Sequence, residues 1–379
     1  MPVASSLCLN KVNRNENQQL TPHNRQLETG NRQLIPVIPI QNLYYLLCYA
    51  WNRLPEPGEL QTVEAAEFHR PVELLTRLLL TALHRQLKRG LQQTYTERKE
   101  ELPELRGRVL LAPTLLRNLL PRGRAVCAYD ELGHDTPLNG LLLGTLQQLV
   151  RSRQLPAALR HEVRLVLGRF PAGVAALPLT SHTLHLVRRQ QHTGPERFLL
   201  HICELLHASA LPEPDTEGAF RFQDFRRDEV LMARLFEQFV RNFYRMEQRR
   251  YRVLSETIHW QAAAERAEDL ALLPVMITDT TLEAPDRKLI LDTKYYAAAL
   301  RTRYNQQRLI APHLYQLYAY LQNQPNLPGQ QLEGILLYPA TARTVDLRYT
   351  LGGFPVRVAT LDLAQPWAGI AADLLALVV

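Results

Sequence analysis

The stretch from Ile277 to Tyr296, I-T-D-T-T-L-E-A-P-D-R-K-L-I-L-D-T-K-Y-Y, constrains this chain most. It reads as two short strands joined by a tight turn at Ala284-Pro285-Asp286-Arg287, the first carrying Asp279, the second Asp292 and Lys294. Residues two apart in a strand point to one face, so Asp292 and Lys294 share a side. With the turn centred between Pro285 and Asp286, Asp279 stands opposite Asp292. Two carboxylates and a lysine on one patch cost free energy unless something neutralises them, and a divalent metal is the usual neutraliser. On the D-x-K pattern alone, an exposed strand holding an ion pair is the simpler reading. The apolar run Leu289-Ile290-Leu291 before Asp292, and Tyr295-Tyr296 after it, place the carboxylate at the end of a buried strand instead.

The chain of 379 residues is long enough for two domains, and its apolar (46%) and charged (21%) fractions are those of a globular protein. It contains no apolar run of about 18 residues, which leaves no membrane span to expect. The N-terminus lacks a basic start followed by a sustained apolar region, so no secretory signal is expected. Cys8, Cys48, Cys127 and Cys203 are far apart with no C-x-x-C, which argues for free thiols in a reducing cytoplasm and against a disulfide framework, a zinc ribbon or an iron–sulfur cluster. Residues 1–205 carry 25 Lys and Arg against 17 Asp and Glu, whereas residues 206–379 carry 19 against 20. The half with the carboxylate patch is close to neutral, so delivery of a polyanionic substrate by another subunit is plausible.

Residues 1–33 are rich in Asn, Gln and Arg and read as a disordered leader. Residues 34–210 read as a mixed, mainly helical N-terminal domain, with helices expected over Gln41–Asn52, Pro71–Gly90, Leu138–Val150 and Phe198–Ala208 and a strand at Ala125–Asp130. Residues 156–195 have no clear period. The Pro- and Gly-containing stretch Leu211–Gln223 is the expected junction. From 211 to 379 helix and strand alternate, with a helix over Asp228–Tyr244, the hairpin, a helix over Leu309–Gln322, a strand at Gly334–Tyr338, a hairpin around Gly352-Gly353 and a closing helix from Pro366. This is an α/β (α+β) domain with a small mixed sheet flanked by helices.

Two carboxylates and a lysine on one sheet face suit metal-assisted phosphodiester hydrolysis. Asp279 and Asp292 would hold Mg²⁺, the backbone carbonyl of Thr293 would add a ligand, and Lys294 would position the attacking water or deprotonate it and offset charge in the transition state. Glu237, between Phe236 and Phe239 on the Asp228–Tyr244 helix, is either a solvated boundary residue or a third carboxylate completing the metal shell. Gln316 and Tyr320 are four apart on one helix face and would support the phosphate or the water; alone they describe an ordinary amphipathic helix.

Glu237, Asp279, D-x-K at 292–294 and Q-x-x-x-Y at 316–320 resemble, in order and element type, the PD-(D/E)XK nuclease superfamily and its RecB-like branch. More specifically, the chain resembles the McrC-like nuclease subunits of McrBC modification-dependent restriction systems. I-P-I-Q-N-L-Y-Y-L-L-C-Y-A-W (38–51), L-R-G-R (105–108), C-A-Y-D-E (127–131), D-T-P-L-N (135–139), L-F-E-Q-F-V (235–240), L-P-V-M-I-T-D (273–279) and L-I-L-D-T-K-Y-Y (289–296) carry that resemblance. One departure is Thr278, where the wider superfamily usually has proline. The resemblance implies a restriction-endonuclease-like fold, Mg²⁺-dependent cleavage of double-stranded DNA bearing modified cytosine of the 5-methylcytosine type, and action in the cytoplasm with an McrB-like AAA+ GTPase hexamer. The N-terminal part would dock on that ring and stimulate it. The chain carries no G-x-x-x-x-G-K-[ST], so it is not itself the motor. Arg106 and Arg108, around Gly107, are expected as partner or phosphate contacts, or as solvated arginines of a turn. The competing readings are a non-catalytic adaptor that activates the motor and a repair nuclease, or one acting on RNA, of the same fold.

Overall fold

The computed structural model describes residues 38–65, 68–212, 220–296, 300–303, 306–325, 328–340 and 344–379. The expected leader, 1–33, lies outside them. Helices dominate the first part: α1 (Ile40–Ala50), α2 (Pro57–Ala65) and α3 (Pro71–Arg89). A small antiparallel sheet follows, with strands β1 (Thr94–Leu102), β2 (Arg108–Val109) and β3 (Ala125–Gly133) in the order β1-β3-β2 and the short helix α4 (Leu111–Leu116) between the last two. Four more helices come next: α5 (Pro137–Arg151), α6 (Ala157–Leu167), α7 (Ser181–Arg188) and α8 (Gly194–Ser209). Residues 156–195, which have no clear sequence period, thus hold two short helices whose apolar residues Leu159, Val163, Val166, Leu184 and Val187 are buried. Local sequence still sets their neighbours: Thr136 caps α5 by accepting from Asn139 N, with Pro137 at its first turn, and Thr193 with Glu196 forms a capping box on α8.

A two-stranded ribbon, β4 (Ala210–Pro212) and β5 (Phe220–Phe222), leads to the long helix α9 (Glu229–Glu247), capped by Asp228 Oδ1 accepting from Leu231 N at 3.0 Å. The expected junction at 211–223 falls on this ribbon; residues 213–219 lie outside the described part. Strands β6 (Arg252–Leu254), β7 (Thr257–Ile258), β8 (Met276–Ile277), β9 (Thr280–Glu283) and β10 (Arg287–Thr293) follow, then the ribbon β11 (Leu300–Arg303) and β12 (Gln306–Leu309). The helix α10 (Ala311–Gln322), strands β13 (Gln331–Pro339), β14 (Asp346–Leu351) and β15 (Phe354–Leu361), and the helix α11 (Trp367–Ala376) complete the chain. The main sheet has six strands in the order β14-β15-β13-β10-β9-β6. β10–β13 and β13–β15 pair parallel and the other pairs antiparallel, so the sheet is mixed, as expected.

The alternation within β10 decides what each sheet face meets. Leu289 and Leu291 face a core that contains Phe236, Phe239, Val240 and Phe243 of α9, whereas Ile290 faces Leu317, Tyr320 and Leu321 of α10. Gly334 on β13 makes room for α10, since a Cβ there would lie 2.9 Å from Leu317 Cδ2 and 3.0 Å from Leu321 Cδ1. Residues on both sides of the 211–223 ribbon contribute to one hydrophobic core, from Leu43 and Leu79 to Leu374. α1 packs on α9, with Tyr49 Oη donating to Glu247 at 2.6 Å, and touches α11, where the Tyr45 ring stacks on Trp367 at 4.3 Å. Asn242 of α9, buried, donates through Nδ2 to the carbonyls of Tyr49 (2.9 Å) and Ala50 (3.1 Å), satisfying the open C-terminal end of α1. Cys48, Cys127 and Cys203 are buried free thiols, as expected.

Asn242→Ala leaves the Ala50 carbonyl without its donor and removes one of the two donors to the Tyr49 carbonyl, whose other is Asn52 N, and it should lower unfolding free energy by about 1 to 2 kcal/mol. Urea denaturation of the two proteins checks this; a difference below about 0.5 kcal/mol, the scatter of ordinary surface changes, would show that water or a neighbour replaces the amide.

Candidate active site

The hairpin at the centre of the chain has the expected register. Leu289 pairs with Leu282 and Leu291 with Thr280, and Ala284 N donates to Arg287 O at 2.8 Å across the turn. The first strand, however, is interrupted. Met276 and Ile277 form β8 with β7, the chain bends at Thr278–Asp279, and pairing with β10 resumes only at Thr280. Asp279 therefore sits in the break, where its Oδ2 accepts from Thr293 N at 2.7 Å and Thr293 Oγ1 at 2.8 Å. Thr278, in the place of the superfamily proline, anchors the break: its N donates to Glu256 O (2.9 Å), its Oγ1 accepts from Glu256 N (2.9 Å), and its carbonyl accepts from Ser255 Oγ (2.7 Å). A proline there would lose the first bond and the hydroxyl.

Asp292 has no exposed side-chain surface, and Lys294 Nζ lies 2.7 Å from its Oδ2. Neither carboxylate oxygen accepts a well-aligned hydrogen bond. Its pKa is pushed up to about 7, chiefly by burial and then by the Asp279 charge, with Lys294 acting in the opposite direction. The lysine is held from its other side. Its Nζ donates to Gln316 Oε1 at 2.9 Å, Gln316 Nε2 donates to Tyr320 Oη at 2.6 Å, and Tyr320 Oη donates to Ile277 O at 3.0 Å. Burial pushes the Tyr320 phenol up to about 12, so it remains a donor. This chain of contacts closes a ring from β10 through α10 to β8. It joins Asp279, Asp292, Thr293, Lys294, Gln316 and Tyr320 in one connected patch.

Glu237 lies at the edge of that patch. It is paired with Arg241 one helical turn on, and Arg241 Nε also donates to Asp279 O at 2.6 Å. Burial raises the Glu237 pKa, and the charge of Asp279 adds to the effect. Among the described residues, no three His, Cys, Asp or Glu side chains gather closely enough to hold a metal ion. With Glu237 engaged by Arg241, the carboxylates left to face a cation are Asp279 and Asp292. Arg106 and Arg108 are elsewhere, on the three-stranded sheet, where Arg106 covers the Tyr129 ring at 4.1 Å and Arg108 lies 3.4 Å from Glu97.

Two contributors escape a reading of the motifs. The E-x-x-x-R spacing of Glu237 and Arg241 signals a helical ion pair but not the bond to the Asp279 carbonyl. Tyr338 of β13 is fully buried on the Asp292 side of the sheet, shares a hydrogen bond of 2.8 Å with His313 Nδ1, and has its pKa raised by burial and by the Asp292 charge. Nothing in the local sequence marks it.

The family model described as McrBC 5-methylcytosine restriction system component matches residues 9–339. The type IV methyl-directed restriction enzyme EcoKMcrBC of Escherichia coli strain K12 is 31% identical over 340 residues, covering 90% of this chain and 97% of that protein. Among solved structures, the fold is similar to a chain of the Thermococcus gammatolerans assembly of McrB AAA+ hexamers with bound McrC, with a TM-score of 0.55 and 17% identity over 90% of this chain and 76% of the other. By sequence over nearly its whole length, and with a fold like that of McrC, this chain belongs to the McrBC restriction-system family.

Proposed function

We propose that the protein is the DNA-cutting subunit of a modification-dependent restriction system, hydrolysing phosphodiester bonds with Mg²⁺ in concert with an McrB-like AAA+ GTPase that brings it DNA bearing modified cytosine. The observation that carries this reading is Asp292: a fully buried carboxylate, beside Asp279, whose one close polar partner among the described residues is the Lys294 ammonium at 2.7 Å, with Oδ1 left open. A structural carboxylate in such a place is normally satisfied by donors; one left with open lone pairs beside a second carboxylate fits a hard, oxygen-seeking cation. Asp279 and Asp292 would hold it, with Glu237 beside them as an outer support. Membership of the family, and a fold shared with an McrC that is bound to McrB AAA+ hexamers, support the choice of substrate and partner.

A bound Mg²⁺ supplies charge neutralisation at the phosphate and a lowered pKa for water. The remaining work falls to the protein's own groups. Lys294, steadied between Asp292 and Gln316, keeps an ammonium at the carboxylate pair, where it offsets negative charge developing on the phosphate. Gln316 and Tyr320 hold the lysine in place, and Arg241 fixes both Glu237 and the backbone at Asp279. Water adds to phosphorus, one phosphorus–oxygen ester bond breaks, and the alkoxide leaving group takes up a proton.

Asp292→Ala and Lys294→Ala should each abolish cleavage of modified DNA in the presence of the partner ring, nucleotide and Mg²⁺ while co-purification with the ring persists. Retained cutting in both variants would remove the site from consideration, and nucleotide hydrolysis without cutting by the unaltered protein would favour the adaptor reading. Gln316→Ala, which frees the lysine but removes no charge, should slow cleavage by roughly 10- to 100-fold. The ionisation of Asp292 provides a readout that needs no activity. A carboxyl whose folded pKa is about 7, above its unfolded value, binds more protons folded than unfolded, so it destabilises the fold progressively as pH rises from about 4 to 7. In EDTA, Asp292→Asn should match the unaltered protein near pH 4 and exceed it at pH 8 by about 4 kcal/mol. Added Mg²⁺ should close that gap at pH 8 by stabilising only the unaltered protein; a gap indifferent to Mg²⁺ would argue against metal binding here.

A further inference from the structure

We infer that a cleft running along α9, away from the carboxylates, binds the backbone of one strand of the DNA being cut; this rests on the nuclease reading above. Two cavities, of about 700 and 830 Å³, lie side by side between the C-terminal end of α1, α3, α8 and α9. They meet at Trp51, Arg197, His201 and Gln238, which line both. Arg241 lines the first cavity and also donates to the Asp279 carbonyl, so the cleft begins where the cutting centre ends. From Arg241 back to Leu231, the lining stretch of α9 runs roughly 15 Å at 1.5 Å per residue. That length spans about four stacked nucleotides at 3.4 Å each.

The charge on the walls selects the ligand. The carboxylates that line the cleft, Glu56 and Glu204, are already matched: Glu56 by Arg53 and Arg85, and Glu204 by Arg188. Three further guanidinium groups, those of Arg89, Arg197 and Arg234, are exposed and make no ion pair or side-chain hydrogen bond among the described residues. The cleft therefore carries a net positive charge that the protein does not use internally. Its floor is aromatic, with the Trp51 and His201 rings stacked at 5.7 Å and the Phe198 ring edge-on to Trp51 at 5.5 Å. Unmatched arginines in a cleft that also presents the partly exposed Trp51–His201 stack are the ingredients of strand binding, phosphates on the one and sugar or base on the other. A small anion would need only one of these groups; two cavities in series beginning at a phosphodiester-cutting centre fit a continuous backbone.

The test is DNA binding by the full chain in an Asp292→Ala background, where nothing is cut. The dependence of affinity on salt is measured with a duplex oligonucleotide for three proteins: the background alone, the background with Arg89→Ala, Arg197→Ala and Arg234→Ala, and the background with Arg153→Ala, Arg164→Ala and Arg169→Ala on and around α6. The second and third lose the same net charge. Removing three phosphate contacts should make the plot of log affinity against log salt shallower by about 2 to 3, at roughly 0.7 to 0.9 per contact. The α6 control should leave it unchanged, and Arg→Lys at the three cleft positions should restore most of it. An unchanged slope in the cleft variant, equal losses in both triple variants, or no DNA binding by the full chain overturns the inference. Cleavage by the unaltered protein with its partner is read separately, so failure of the nuclease reading is seen as absent cutting, not as an altered salt slope.

Discussion

Burying a carboxylate that has a single close cation and one open oxygen costs free energy, and the arrangement around Asp292 is built to tolerate that cost. The residue ends a strand whose preceding side chains, Leu289, Ile290 and Leu291, are fully buried, so it cannot turn to solvent without dragging β10 out of the sheet. Its one close cation, Lys294, is itself held by Gln316, Gln316 by Tyr320, and Tyr320 by a backbone carbonyl of β8. The contact of α10 with the sheet, made possible by Gly334, is therefore as much a part of the site as the charged groups. Loosening α10 would release the lysine and leave an uncompensated buried charge.

The opposite face of the sheet is organised by α9. Its apolar side, Phe236, Phe239, Val240 and Phe243, packs into the core shared with α1 and α11, and its Asn242 closes the end of α1. Its other side turns Glu237 and Arg241 towards the break at Asp279 and lines the arginine-rich cleft. One helix thus fixes the position of the carboxylates and carries the path along which a strand would leave them. Displacement of α1 or α8 would be felt at the site through α9, a mechanical link between the first half of the chain and the second.

Charge follows the same division. The part of the chain around the carboxylates is nearly neutral overall, and the unmatched positive groups of the cleft are drawn from α3 and α8 as well as α9. On the proposed reading, residues from the preceding helices would hold DNA while the carboxylate centre itself stays close to neutral. Such a centre favours a cation as the counter-charge and depends on other parts of the protein, or on a partner, for its grip on a polyanion.

The sequence by itself determined the hairpin and its register, the flanking helices and the shared face of Gln316 and Tyr320. A tight turn sets cross-strand pairing over a few residues, and a period of 3.6 marks a helix wherever it packs. The tertiary structure alone decided what those residues experience. That Asp292 is fully buried, with Lys294 its one close polar partner among the described residues, depends on which helices cover the strand. The break that frees Asp279 from the ladder depends on Thr278 bonding to a segment twenty-two residues earlier. Arg241 reads in sequence as half of a helical ion pair, and only the fold brings the Asp279 carbonyl within its reach. The helices over 157–188 were hidden because each is short and partly solvated, so that burial in the assembled core, rather than a long repeating pattern, stabilises them. The cleft has no sequence signature because its walls come from four helices whose proximity is a property of packing.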